Sequence, residues 1–157
     1  MLRRVAHQRG SSVLDAWGVD TAMTAQTLGS LRDHFRIVVP LLSSGCHVVE
    51  ARSLDVRPAF ARSAGAGAPE LLDALIGLCP RPRFTFYLQV PPAEALRRIE
   101  ERGIDTEPPD ALRAFADQLD TEAATSDWVV LDGTLHPDEL SRQIWDEVAP
   151  VVGAEAL

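Results

Sequence analysis

Pro82-Arg83-Phe84-Thr85-Phe86-Tyr87-Leu88-Gln89-Val90-Pro91-Pro92-Ala93-Glu94-Ala95-Leu96-Arg97-Arg98-Ile99-Glu100-Glu101-Arg102-Gly103 is the stretch that decides the fold. Phe84 to Val90 is rich in aromatic and β-branched residues, which is the signature of a buried strand. A double proline ends it, and a helical pattern follows from Pro92 to Arg102. Arg98 and Arg102, four residues apart, share one face of that helix.

Working outward, two more runs have the composition of buried parallel strands, His47 to Ala51 and Trp128 to Leu131. Helical patterns fill the intervals. From Asp20, a candidate N-cap, to Ser44, the apolar series Leu28, Leu31, Phe35, Val38, Leu42 steps by three and four, and Gly45 closes it. This predicts one long amphipathic helix bent at Pro40. Glu70 to Leu78 and Asp110 to Glu122 have the same character, and a last helix starts at Pro137, a good first-turn residue. Ala64 to Pro69 has the composition of a flexible loop. Strand alternating with helix implies an α/β fold with a parallel sheet and flanking helices, organised as a single domain over residues 1–157.

Composition narrows the chemistry. All 15 basic residues are arginine, so no lysine is available to hold a phosphate or form a Schiff base. The net charge of −8 argues against nucleic acid and against an anionic membrane surface as partners. That charge is uneven: residues 1–102 carry a net +3 and residues 103–157 a net −11, so an anion site belongs in the first two thirds. Cys46 and Cys79 lack metal-ligand spacing and are expected to be small buried hydrophobes in a reduced, cytoplasmic setting. The N-terminus has charge but no apolar core of a signal peptide, and no run approaches the length of a membrane span.

The opening stretch resembles the fourth strand and following helix of thymidylate kinases, approximately P-x-L-T-F-Y-L-D-V-P-P-E-x-A-L-x-R-I-x-x-R-G. Upstream, Pro40 to Gly45 and Val48 to Ala61 are similar to that family's P-x-L-x-x-G helix end and to its strand leading into D-R-Y-x-x-S-x-x-A-Y-Q. Downstream, Val130-Leu131-Asp132-Gly133-Thr134, then Pro137 to Leu140 and Ile144-Trp145, are similar to its fifth strand and final helix. The likeness runs over residues 36–150 and implies a P-loop-NTPase-like parallel sheet.

The resemblance implies a nucleotide site with Arg52 on the acceptor phosphate, Phe60 stacking on the base, and Arg57, Arg98, Arg102, Asp132 and Thr134 nearby. It implies a nucleoside monophosphate as ligand, and ATP with Mg²⁺ as the family's cofactors. The departures are as informative. Ala51 stands where the family has an acid, Ala61 where it has a base-reading amide, and Gln89 where an aspartate is common. Residues 103–112 hold none of the lid arginines; Asp105 and Glu107 remain of an acidic lid pattern.

The family opens with a strand, a G-x-x-x-x-G-K-S/T loop and a helix that hold phosphates and Mg²⁺, and these 157 residues contain no such loop. Leu2 to Gln8 could match the helix after the family's second strand, as if the preceding unit were missing. Without loop, lysine and lid arginines, catalysis by this chain alone is not expected, and no cofactor is expected to bind it. In the family's strand order 2-3-1-4-5, absence of the first strand would leave Val48-Val49 and the Tyr87 strand about 9 to 10 Å apart. A partner chain, a second copy in a homodimer, or Ser12-Val13-Leu14 could fill the gap.

Blander readings stand beside these. Arg57 and Arg62 could line an anion clamp or lie on solvated faces. Arg98 and Arg102 could touch nucleotide or simply face solvent. His34, near the family's R-x-x-H position, is expected on the helix surface or satisfied. Phe60 could be core or stacking platform, and the acidic C-terminal third reads as a solvated face. Two functions follow: a thymidylate-kinase-like protein with at most residual monophosphate binding, or a non-catalytic assembly module pairing through an exposed sheet.

Overall fold

A computed structural model describes residues 16–104 and 106–153. The proposed Leu2–Gln8 helix, the Ser12-Val13-Leu14 filler and Asp105 lie outside them. The chain forms two compact units, one running to Arg81 and the other from Pro82 onward.

The first unit is helical. Helix α1 spans Val19–Asp33, passes through a π-helical turn at His34–Val38, and continues as α2, Val39–Ser43. The expected long helix is therefore interrupted ahead of Pro40 and not at it. Pro40 has no N–H to donate to the carbonyl four residues back. The ladder widens before reaching it, with the Val39 N–H donating to the His34 carbonyl. Asp20 does not cap α1: Gly18 holds the N-cap position, and the Asp20 carboxylate accepts instead from the Gly67 N–H at 2.9 Å. That bond ties down the loop read as flexible. Gly65 takes a left-handed turn there at φ 75°, and the Ala66 N–H donates to the Ala61 carbonyl at 2.9 Å.

Helices α3, Val56–Ser63, and α4, Pro69–Ile76, complete this unit. Helix α3 was not anticipated as a helix. Met23, Ala61 and Leu72, each 2% exposed or less, form the dry centre, with Val19, Ala66 and Ile76 around it. Burial of a side chain the size of Leu72 or Met23 contributes about 1.5 to 3 kcal/mol. Polar links flank this core: Arg57 donates to Ser30 Oγ at 2.8 Å and to Gln26 Oε1 at 3.3 Å, and Arg62 pairs with Asp73 at 3.0 Å.

The strand expected at His47 to Ala51 does not form. The stretch carries no regular structure, and Val49 is 99% exposed. The physical reason is that a parallel strand has no local partner and exists only where a ladder is supplied. Among the described residues of this unit, none is a strand.

In the second unit two strands supply the ladder for each other. Strand β1, Phe86–Gln89, and strand β2, Val129–Asp132, pair in parallel with Phe86 opposite Val129 and Gln89 opposite Asp132. Flanking bonds, Val129 N–H to the Thr85 carbonyl at 2.9 Å and Gly133 N–H to the Gln89 carbonyl at 2.8 Å, extend the pairing at both ends. Helices α5, Pro92–Arg102, α6, Pro109–Thr125, and α7, Pro137–Val152, all open on a first-turn proline. Gly103 ends α5 in the left-handed region at φ 63°, its N–H donating to the Ile99 carbonyl. Observed and expected boundaries of α5 agree, and α7 begins at the expected residue. No helix among the described residues is long and apolar enough to cross a membrane.

Candidate functional site

The residues implied as a nucleotide site fall into two groups. Arg52, Arg57 and Phe60 belong to the first unit; Arg98, Arg102, Asp132 and Thr134 belong to the second.

In the first unit Arg52 is exposed and holds a left-handed backbone at φ 60°, the only such non-glycine among the described residues. A side chain in that region is strained, and such outliers cluster at ligand sites. Among the described residues, Arg52 makes no hydrogen bond or ion pair. Arg57 differs: α1 already occupies two of its donors, its burial pulls its pKa down, and the Glu50 carboxylate partly opposes that. It reads as a brace between α1 and α3. Phe60 is 37% exposed on α3 and so is not core. Ala61, in place of the family's amide, is 0% exposed in the apolar centre.

Two expectations on this unit are corrected. Cys46 is exposed and Cys79 only partly covered, both as free thiols. His34 is neither at the surface nor satisfied. It is 8% exposed, and neither ring nitrogen has a hydrogen-bond partner. Thr27, two turns earlier on the same helix, is 0% exposed with an unpartnered hydroxyl. Thr27, Leu31 and His34 follow one another at α-helical spacing, so the face that buries the first two also carries this ring inward.

In the second unit the turn after β2 is built from the residues the sequence singled out. The Asp132 carboxylate accepts from the Thr134 hydroxyl at 2.6 Å and the Thr134 N–H at 2.9 Å. Those two bonds, with the Arg98 charge nearby, hold its pKa below the usual carboxylate range. Arg98 donates to the Gly133 carbonyl at 3.0 Å and to Glu94 at 2.7 Å, which clamps α5 to this turn. Arg98, Asp132 and Thr134 are brought together at this turn, and Arg102 lies four residues further along α5.

Gly133 itself was missed as a positioning residue. A Cβ there would lie 2.5 Å from Val90 Cγ2 and 3.0 Å from the Gln89 carbonyl oxygen, so only glycine lets the turn lie against β1. Asp120 was missed too. Its Oδ1 accepts from Tyr87 at 3.0 Å and from Gln89 Nε2 at 2.8 Å. Burial, then that carboxylate, raises the Tyr87 pKa. The signal was present in alternation: Tyr87 and Gln89 sit on one face of β1, and two donors on one face call for an acceptor. An open cleft of about 590 Å³ lies over this face, with Gln89, Pro91, Asp117, Asp120, Asp132 and Thr134 in its wall.

The sequence has no lysine and no phosphate loop, and among the described residues no cluster of His, Cys, Asp or Glu could hold a metal ion. The parallel strand pair, its flanking proline-started helices and the Asp-Gly-Thr turn define an α/β layer of the nucleotide-kinase kind. A family model described as thymidylate kinase matches residues 22–144, which begins fourteen residues ahead of the likeness read from motifs. The chain belongs to the thymidylate kinase family.

Proposed function

We propose that this chain binds a nucleoside monophosphate weakly, with Arg52 on the phosphate, and transfers no phosphoryl group by itself. The observation that carries this is Arg52: an exposed guanidinium on a strained backbone at φ 60°, uncommitted to any described protein group, at the position where the family holds its acceptor phosphate. An arginine fork is suited to phosphate oxygens. Phe60, 37% exposed on the following helix, offers a face for a base. With Ala61 sealed in the core, no amide reads that base at this position. Inactivity follows from chemistry: phosphoryl transfer is nearly all positioning and charge stabilisation. Within these 157 residues the lysine, the phosphate loop and the lid arginines are absent.

Calorimetric titration with thymidine monophosphate and with ATP tests the reading. Monophosphate should bind with a dissociation constant of roughly 0.1 mM or weaker, Arg52→Ala should weaken it about tenfold, a loss on the scale of one charge-assisted hydrogen bond, and ATP should give no heat. Tight ATP binding, or unchanged affinity in Arg52→Ala, refutes it.

A second reading, assembly with a partner chain or a second copy, is favoured by one observation. The sheet has two strands, so β1 and β2 each present an edge with no strand beside it among the described residues. Light scattering coupled to size exclusion decides it: a strict monomer at all concentrations counts against assembly with a second copy.

A further inference from the structure

Arg52 rides on a segment that little holds in place. His47 to Ser53 has no regular ladder, Val49 is 99% exposed, and no backbone hydrogen bond from elsewhere among the described residues reaches it. Its one described side-chain tether is Glu50, whose Oε2 lies 3.7 Å from His34 Nδ1. That separation is too long for a hydrogen bond. On the other side, the His34 ring is buried with both nitrogens unpartnered, an arrangement that costs free energy unless a partner closes in. The family's acid at position 51 is absent here, and Glu50 offers a carboxylate one residue earlier.

We infer that His34 and Glu50 form a proton-dependent clasp that positions Arg52 for an anionic ligand. This rests on the assignment of Arg52 to the monophosphate. A proton on the ring makes Nδ1 a charged donor facing the carboxylate, and a charge-assisted bond is roughly twice as strong as a neutral one. Closing it by a few tenths of an ångström pulls Glu50, and Arg52 two residues later, toward the helix. Loss of the proton releases the segment. His34 and Glu50 are thus positioning residues.

The neighbouring charges leave this role to the histidine. Arg57, from α3, feels Glu50 but stays cationic and is bonded to α1. Cys79, beyond α4, has its thiol pushed up by burial and then by Glu50 and Asp55, so it remains neutral. Histidine is the side chain that changes charge between about pH 5 and 8.

Two measurements test the clasp. The first needs no ligand: cleavage after Arg52 by an arginine-specific protease, relative to an unstructured peptide of the same residues. In the native chain it should be several-fold slower at about pH 6 than at about pH 8, and Glu50→Gln should remove the difference. Glu50 is 39% exposed, so this variant keeps the fold where His34→Gln, at a buried site, could fail to. The second is calorimetry with thymidine monophosphate. The affinity ratio of native chain to Glu50→Gln should be about threefold or more at the lower pH and about one at the higher, and the ligand's own phosphate titration cancels in that ratio. A cleavage rate that responds to pH identically in both proteins overturns the clasp. A clasp seen in cleavage, with binding unmoved by Arg52→Ala, overturns the monophosphate reading and the positioning role together.

Discussion

The two units of this chain solve opposite problems. The one ending at Arg81 holds nearly all the fully covered side chains, Ala22, Met23, Leu31, Leu54, Ala59, Ala61 and Leu72 among them, and has no strand among its described residues. The one from Pro82 onward has the parallel strand pair and the family's turn, yet the sole covered residue in its described part is Gly133. The dry core lies in the unit without a described strand, and the paired strands with their Asp-Gly-Thr turn lie where little is buried. Helices can cover one another's apolar faces with short-range contacts, whereas a sheet needs a partner brought from far along the chain. What each unit retains follows from which kind of partner it has within reach.

The sharpest way to break the comparison is Ala61→Gln. If the first unit were only a binding site with a lost residue, restoring the family's amide would improve monophosphate binding. Since position 61 is 0% exposed against Met23 and Leu72, the variant should instead lose about 4 kcal/mol of stability, combining overpacking with a buried amide. Urea denaturation monitored by circular dichroism measures it; a wild-type midpoint with tighter binding sinks the contrast.

In the second unit the expected sensitivity lies at the turn. Gly133→Ala must push a branched side chain and a backbone carbonyl aside, and should cost about 2 kcal/mol. Fluorescence of Trp128, whose ring meets Tyr87 edge-on at 6.3 Å, reports it locally in a chemical melt. A neutral result would mean the turn is looser than the packing implies.

The smallest effect concerns α5. Glu94 accepts from Arg97 and Arg98, which brings its pKa from 4.5 down to about 2. A carboxylate lowered on folding stabilises the fold above its unfolded value and loses that contribution as pH falls through the folded one. Glu94→Gln should therefore melt slightly lower than the native chain at neutral pH. The gap should close between about pH 4.5 and pH 2. Paired thermal melts across that interval check it, and a gap that persists at the acid end would assign the difference to something other than charge.

What could be read from sequence divides along the same line. Helix α5 was legible to its termini because its limits are written locally, in Pro91-Pro92 at one end and Gly103 at the other. Strands β1 and β2 were legible because each has the other. His47 to Ala51 has the same β-branched composition and was misread, since composition records what a residue can do in a ladder and not whether a ladder arrives. Among site residues, Arg98, Asp132 and Thr134 came together because one short turn contains two of them. Glu50, His34 and Asp120 stayed hidden, their meaning depending on what stands opposite in space. Arg57 was legible as a candidate for an anion clamp or a solvated face but not as a brace, for its partners Gln26 and Ser30 lie on another helix.

The π turn at His34–Val38 has a consequence best stated as phase. An α-helix advances about 100° per residue, so Leu31 and Leu42 would point the same way along an unbroken one. A wider turn takes up one residue more, and everything after it arrives about a quarter-turn late. Leu31 reaches the interior at 7% exposed while Leu41 and Leu42 stand at 42%. The apolar stripe was written for one clock, and the helix keeps two.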